Sequence, residues 1–116
     1  MKTLHLTLKK KWFDMIKAGI KKEEYREIKP YWINRLCKPL PMSVIDGGDL
    51  VNNHSGRNYD LKKFDQISFR NGYSKNAPTM LVKLEDIKFG NPKCGWCEPG
   101  ETGKEVFILK LGTIIE

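Results

Sequence analysis

The order of apolar and polar residues predicts a strand followed by a helix at the start of the chain. Residues 2–8 alternate between the two classes, with leucine at every second position, and this period is typical of a half-buried strand: Leu4, Leu6 and Leu8. Residues 9–18 then change to spacings of three and four, which predict one apolar helical face: Trp12, Phe13, Ile16 and Ile20. Gly19 is placed to end this helix.

The rest of the chain alternates between short predicted strands and loops. Extended segments are predicted over 21–28, 65–70, 79–89 and 105–111, with a short helix over 31–37 that has Pro30 at its first position. A long loop is predicted over 38–63 and a second one over 90–103, both rich in glycine and proline. We therefore expect an α+β fold, a small barrel of about five to six mostly antiparallel strands with one or two helices, in a single domain over residues 1–116.

Length and composition exclude several classes of protein. With 116 residues, of which 40% are apolar, the chain can bury one core and is not intrinsically disordered. We find no apolar run of membrane-spanning length and no signal peptide, and three cysteines do not form a disulfide framework. The expectation is a folded cytoplasmic protein without membrane contact.

Positive charge is concentrated in the first third of the sequence. The net charge is +7, and residues 1–38 hold 11 Lys and Arg against 4 Asp and Glu, while the remaining residues are balanced. Such asymmetry favours an anionic partner, and nucleic acid is the commonest one for a small basic domain. A solvated lysine-rich face is the alternative.

Two segments depart from what stability alone would select. Lys9, Lys10 and Lys11 stand at the predicted helix start, where the helix dipole is already positive, so they form a candidate phosphate site unless the helix begins later. The segment 21–28 has no apolar face, because charged residues occupy both sides of the predicted strand: Lys22, Glu24, Arg26 and Ile28 on one, and Lys21, Glu23, Tyr25 and Glu27 on the other. Either its charges are buried in pairs, such as Glu24 with Arg26 or a lysine, or it is an edge strand protected by charge.

At these residues the chain resembles the ASCH superfamily, whose small domains have a barrel like that of the PUA RNA-modification modules. The signature of that family has the form Gly-x-Lys-x-x-(Glu or Thr)-x-Arg, which matches Gly19, Lys21, Glu24 and Arg26 here. The resemblance is firmest over residues 2–32. It implies a PUA-like barrel that binds RNA or a nucleotide in a cleft lined by this motif.

One branch of the family hydrolyses N4-acetylcytidine with a lysine, a threonine and a later glutamate, so the resemblance also implies a possible nucleoside amidohydrolase. Lys21 matches the lysine, and Glu24 stands at the threonine position, which makes these two the candidate catalytic residues. The later glutamate is left open among four residues: Glu85, Glu98, Glu101 and Glu105. Because a carboxylate favours the charged form of a neighbouring lysine, we expect Glu24 to oppose a role of Lys21 as a base.

As a binding site, the motif would combine base recognition with charge. Glu24 would accept a hydrogen bond from an exocyclic amine, while Lys21 and Arg26 would contact carbonyl or phosphate oxygens, with Lys22 beside them. Five aromatic residues are candidates for base stacking, although we expect most of them in the core: Tyr25, Tyr31, Trp32, Tyr73 and Trp96. Among them we favour Tyr73, since it follows Arg70 and Asn71 in a polar loop after a predicted strand. The alternative interpretation of this segment is a plain hairpin turn.

The cysteines and histidines indicate no metal or redox centre. Cys94 and Cys97 have the spacing of a zinc pair, but the chain offers no second pair at finger spacing, and the segment lacks the helix that a thioredoxin-like motif needs. His5 and His54 have no partner identifiable from sequence. We expect no metal and no cofactor.

Three hypotheses follow from the sequence. The first is a module that binds RNA or a nucleotide around Lys21, Glu24 and Arg26. The second is an amidohydrolase acting on a modified cytidine or a related nucleoside. The third is a protein-interaction domain that docks a partner on the 38–63 loop.

Overall fold

The computed structural model describes residues 2–39 and 59–116, which form two helices and seven strands. In chain order these elements are β1 (Thr3–Leu8), α1 (Lys10–Lys17), β2 (Glu23–Glu27), α2 (Pro30–Leu36), β3 (Cys37–Pro39), β4 (Tyr59–Leu61), β5 (Gln66–Asn71), β6 (Thr79–Gly90) and β7 (Val106–Ile114). The predicted strand–helix–strand order at the start of the chain is confirmed, and so is the short helix that begins at Pro30.

Five strands form one curled, mixed sheet in the order β1-β5-β6-β7-β2. β1 pairs with β5 in parallel, and the other three pairs are antiparallel. The α+β class and a mostly antiparallel, half-barrel sheet with two helices are thereby confirmed, while a PUA-like barrel stays a prediction. The parallel pair was not predicted, because a parallel partner lies far away in sequence and leaves no local signal.

The curl of the sheet coincides with irregular pairing between β6 and β7. The register between β6 and β7 shifts twice, on either side of Leu84, and such irregularities increase the local twist of a strand. β1 and β2 are the two edges of the sheet, yet Arg26 on β2 donates from Nη2 to the backbone oxygen of Thr7 on β1 over 3.2 Å. The curl therefore brings the two edges within reach of one arginine side chain.

The core of this sheet follows the hydrophobic pattern. The three leucines of β1 and the apolar face of α1 are buried, and α1 contacts β1 and β5. The fully buried apolar side chains of the later strands include Ile67, Phe69, Val82, Phe107 and Leu109. Ile20 was predicted on the buried helical face, but it is 59% exposed because α1 ends at Lys17, before that position.

By contacts, the chain divides into two compact units, one comprising Met1–Glu27 with Lys63–Glu116 and the other Ile28–Lys62. In the second unit, α2 leads directly into β3, which pairs with β4, and the backbone N–H of Lys62 donates to Leu36 over 2.8 Å. The single domain over 1–116 stays a prediction. Residues 40–58 of the predicted 38–63 loop lie outside the described residues. The hypothesis that this loop docks a partner therefore stays a prediction.

Within residues 2–39 and 59–116, no helix is both long and apolar enough to cross a bilayer.

Candidate functional site

The end of α1 turns Lys21 into the interior of the sheet unit. After Lys17 the chain passes through Gly19 at φ +78°, a conformation that glycine adopts without strain. The backbone N–H groups of Ile20 and Lys21 both donate to the oxygen of Met15, over 2.9 and 3.1 Å. As a result Lys21 is 1% exposed, which makes it the largest fully buried side chain among the described residues.

Lys21 contacts a buried carboxylate that in turn pairs with a half-buried arginine. The Oε1 atom of Glu24 lies 3.4 Å from the ammonium of Lys21, and its Oε2 atom lies 2.8 Å from Nη2 of Arg26. Glu24 is 6% exposed, so the carboxylate is held between two cations away from water. We call these three residues the charged cluster. Both sequence-based alternatives for this segment hold, since β2 is an edge strand and its charges are paired.

The sequence pattern placed Lys21 and Glu24 on opposite faces of a strand, and this assignment is wrong. β2 begins only at Glu23, so Lys21 precedes the strand and is free to turn toward the same side as Glu24. The ammonium of Lys21 also donates to the backbone oxygen of Trp96 over 2.5 Å. It lies 4.5 Å from the ring centre of Tyr25 and 5.1 Å from that of Trp12, within the range of cation–π contacts.

Burial lowers the pKa of Lys21 below the ordinary lysine value, and Glu24 only partly counteracts that effect. As expected, Glu24 favours the charged form of Lys21, but the net shift of the pKa is downward, opposite to what that effect alone would give. The reason is that removal from water disfavours the ammonium by more than its neighbours stabilise it. A lysine in such surroundings is closer to the neutral amine at physiological pH than one on the surface.

The loop between β6 and β7, residues 91–105, lies against the charged cluster. Its backbone N–H at Lys93 donates to the hydroxyl of Tyr25 over 3.1 Å, and that hydroxyl donates to Glu23 over 2.7 Å. Burial also raises the pKa of Tyr25 well above its usual range, so the hydroxyl stays protonated. Together with the Trp96 oxygen on Lys21, these bonds hold the loop over the cluster.

Glu98 joins the same loop to the start of α1. One oxygen, Oε1, accepts from Nζ of Lys9 over 3.0 Å and from Nε1 of Trp12 over 3.2 Å. These two hydrogen bonds lower the pKa of Glu98. The sequence left four glutamates open as the later family glutamate, and Glu98 contacts the same indole that flanks Lys21.

The start of α1 is where the sequence predicted it. The helix begins at Lys10, with Lys9 preceding it in extended conformation, no acidic residue in its first turn and no side-chain cap. The alternative that the helix begins later is therefore wrong. Lys10 pairs with Asp14 over 2.6 Å, and Lys11 lies 4.5 Å from the ring centre of Trp12. All three lysines are exposed.

The parallel pairing of β1 and β5 brings this helix start beside the segment that follows β5. Leu8 and Asn71 are register partners at the carboxyl ends of the two strands, and the N–H of Gly72 donates to the oxygen of Leu8 over 3.0 Å. The lysines at the start of α1 thus lie at the same end of the sheet as the Arg70-Asn71-Gly72-Tyr73 segment. Arg26 reaches this end as well, through its bond to Thr7.

The segment after β5 presents an aromatic ring to solvent. Tyr73 is 90% exposed, and Nη2 of Arg70 donates to the backbone oxygen of Ser74 within the same loop. The expectation that most candidate stacking residues lie in the core is wrong: Tyr31 is 57% exposed, and Tyr25, Trp32 and Trp96 are half-buried. Tyr73 remains the candidate with the most accessible ring.

Lys22 lies outside the charged cluster. It is exposed and lines a pocket of about 310 Å³ between the end of α1 and the end of β7. Lys21 is the only member of the charged cluster that borders this pocket, whose walls also include Ile16, Leu111 and Ile114. None of the groups that surround the Lys21 ammonium line it, so the pocket opens away from the cluster.

Cys94 and Cys97 lie in the 91–105 loop and not at a helix start, as the sequence indicated. Cys94 is exposed, and Cys97 is half-buried with its thiol 3.6 Å from the backbone oxygen of Lys93. No group of three or more His, Cys, Asp or Glu side chains in the described part of the chain could hold a metal ion.

Sequence analysis missed the groups that complete the site. Trp12 was assigned to the core, Trp96 was one of several stacking candidates, and Glu98 was one of four glutamates. The loop reaches Lys21 and Lys9 across sequence separations of 75 and 89 residues, which no local pattern encodes.

No family model, curated protein or solved structure matches this chain. Membership of the ASCH superfamily therefore stays a prediction drawn from the Gly19 to Arg26 motif.

Proposed function

We propose that this protein binds RNA or a nucleotide at the end of the sheet where β1 and β5 terminate. The observation that carries the proposal is the hydrogen bond from Gly72 to Leu8, because it brings the α1 lysines and the Arg70–Tyr73 segment side by side. Two groups of residues that are 60 positions apart in sequence thereby form one surface. An ASCH-like role for the chain is part of the same proposal.

Charge and accessibility at this surface suit a phosphate backbone. Lys10 and Lys11 open a helix without any acidic residue in its first turn, and its free N–H groups add to their positive field. Lys9 already holds a carboxylate, that of Glu98, and so shows the kind of group this position accepts. Phosphate oxygens compete for the same donors, and the exposed ring of Tyr73 offers a stacking surface for a base.

The charged cluster serves this surface as a rigid centre. Both carboxylate oxygens of Glu24 and the ammonium of Lys21 are engaged with protein partners. Nη2 of Arg26 is engaged as well, but its side chain is the most exposed of the three, at 18%, so we assign direct base recognition to Arg26. This revises the roles given to the motif in our sequence-based hypothesis. Phosphate contacts position the ligand, while groups near Arg26 distinguish its base.

The binding proposal is tested with a short cytosine-rich RNA and, separately, with cytidine monophosphate. Titration into isotope-labelled protein should shift the amide signals of residues 9–11 and 70–73. RNA affinity should fall with salt, and Lys11→Ala should lower the slope of log K against log salt by about 0.7, the value for one single-strand phosphate contact.

Lys83 provides the matched control. It is an exposed lysine on β6 opposite Gln66, at the other end of β5 from Asn71. Lys83→Ala removes the same charge from the chain but none from the proposed surface, so its slope should equal that of the wild type. Equal slopes for both variants, or an affinity that does not change with salt, would contradict the proposal.

Amide hydrolysis on a modified nucleoside is a second candidate, favoured by the lowered pKa of Lys21. A neutral amine in a buried site can take a proton from water that attacks an acyl carbonyl. The acyl–nitrogen bond then breaks, the proton passes to the leaving amine, and a carboxylic acid and an amino-nucleoside are formed. The 91–105 loop must leave Lys21 for a substrate to reach it, because the side chain is fully buried.

The hydrolysis candidate is tested by following free acetate from N4-acetylcytidine. Release that is lost in Lys21→Met and kept in Lys83→Ala would support it. The rate should rise with pH until Lys21 is mostly deprotonated and then level off. Amide shifts without release of acetate would support the binding proposal and contradict hydrolysis.

A further inference from the structure

We infer that Cys94 and Cys97 form a reversible intramolecular disulfide, and that its formation changes the contact between the 91–105 loop and Lys21. Neither proposed function uses these thiols. The inference rests on the shape of the chain around them, on their exposure and on the backbone atom that lies between them.

The chain turns tightly at the two cysteines. The backbone N–H of Trp96 donates to the oxygen of Lys93 over 3.1 Å, which closes a turn over residues 93–96, and Gly95 within it has φ +90°. Cys94 lies inside this turn, and Cys97 directly follows it. The thiol of Cys97 points back to the oxygen of Lys93, the residue that precedes Cys94, at 3.6 Å. Burial and neighbouring charges that include Cys94 raise the pKa of Cys97, so the two thiols are close enough to interact.

Exposure assigns the order of the chemistry. Cys94 is exposed, whereas burial raises the pKa of the half-buried Cys97 thiol. The thiolate of Cys94 attacks a low-molecular-weight disulfide such as oxidised glutathione, forming a mixed disulfide and releasing one glutathione thiolate. Cys97 then loses its proton to solvent and attacks the Cys94 sulfur, which releases the second glutathione. Two protein thiols are oxidised and one glutathione disulfide is reduced to two thiols.

The ring that closes contains the atom that Lys21 binds. The Trp96 carbonyl is part of the backbone between the two cysteines, and it accepts from the Lys21 ammonium over 2.5 Å. Cys97 is also electrostatically coupled to Lys21, since its thiolate favours the charged form of the lysine. The disulfide removes that ionisable group and fixes the backbone on both sides of the carbonyl. The surroundings of the Lys21 ammonium therefore differ between the reduced and the oxidised loop.

The third cysteine makes the inference specific. Cys37 is 3% exposed and belongs to the other compact unit, where it serves as an internal control for thiols that glutathione does not reach.

The experiment equilibrates the full chain in glutathione buffers of increasing oxidised fraction, followed by alkylation and mass spectrometry. We expect a species lighter by two hydrogen atoms, with Cys94 and Cys97 protected and Cys37 alkylated only after unfolding. In the same samples, the side-chain NMR signals of Lys21 should shift between the reduced and oxidised forms. Cys94→Ser and Cys97→Ser should each abolish both changes, and Cys94→Ser replaces a side chain that is exposed to solvent.

Three results would overturn the inference. One is thiols that stay reduced in fully oxidised glutathione, and another is a glutathione adduct on Cys94 that never resolves to the internal disulfide. The third is a disulfide that forms while the Lys21 signals stay unchanged, which would remove the coupling. Only the consequence for ligand binding rests on the proposed function, because thiol protection and Lys21 signals are read without any ligand.

Discussion

Replacing Glu24 with glutamine tests whether the charged cluster is held together by charge. Glutamine keeps the shape of the side chain but has one acceptor oxygen in place of two. Whichever way its amide is oriented, the NH₂ group faces either the Lys21 ammonium or the Arg26 guanidinium, both of which are donors. The substitution therefore leaves a buried lysine and a half-buried arginine with no negative charge between them.

The expected size of the effect follows from the two contact distances. At an effective dielectric constant of about 20, attraction amounts to roughly 5 kcal/mol at 3.4 Å and roughly 6 kcal/mol at 2.8 Å before desolvation is subtracted. Removing one partner of a buried ion pair costs about 3–5 kcal/mol in practice. We expect Glu24→Gln to fall at the lower end, about 3 kcal/mol, since Lys21 can release its proton and relieve part of the repulsion.

The neighbouring glutamate is a matched control. Glu23 lies on the same strand and is 7% exposed, against 6% for Glu24, but it accepts a hydrogen bond from the Tyr25 hydroxyl at 2.7 Å. A glutamine oxygen can accept that bond, so Glu23→Gln should cost about 1 kcal/mol or less. Urea unfolding measures both variants, with the midpoint compared at a constant m-value. Equal losses of stability would refute the reasoning, because burial alone would then account for the effect of Glu24.

Three further outcomes are expected. Because the pKa of Lys21 is lowered, the unfolded state binds more protons than the folded state between that pKa and the ordinary value of 10.5. The free energy of unfolding should therefore rise with pH in this window. Urea midpoints measured up to pH 9.5 should show this rise for the wild type and not for Lys21→Met. The raised pKa of Tyr25 acts in the opposite direction, but only above about pH 10. Gly19→Ala should cost about 1 kcal/mol of unfolding free energy because φ is +78°, and Lys21 amide shifts should report its displacement. Lys10→Ala should leave the urea midpoint unchanged within error, since its pair with Asp14 is exposed to solvent.

Local patterns in the sequence predict most of the elements of the sheet unit. The leucines of β1 and the apolar face of α1 have the period of their element, so their burial follows from a window of a few residues. The lysines at the start of α1 were placed correctly for the same reason. The segment 21–28 was recognised as anomalous because a strand without an apolar face has to pair its charges or remain at an edge.

The arrangement of the candidate site was not predictable in this way. The pairing of β1 with β5 is parallel and joins residues more than 60 positions apart, so nothing near either strand specifies it. The Trp96 oxygen on Lys21 and the Glu98 carboxylate on Lys9 are contacts made by a loop whose sequence is mostly turn residues. Such contacts depend on how the sheet curls. The direction of the Lys21 pKa shift also depends on burial. The sequence did not indicate which face of the predicted strand 21–28 is buried.

Within the charged cluster, the two cations have different consequences for the fold. Arg26 donates to the backbone of β1 and pairs with Glu24, so it links the two edges of the curled sheet and has a structural reason to be charged. Lys21 donates only to a loop carbonyl and to Glu24, and its burial disfavours the charge it carries. An apolar side chain of similar length would fill the same space between Trp12 and Tyr25 without that cost. Stability alone thus accounts for Arg26 and leaves Lys21 unexplained. A buried lysine with a lowered pKa beneath a loop is the kind of group that binding or proton transfer requires.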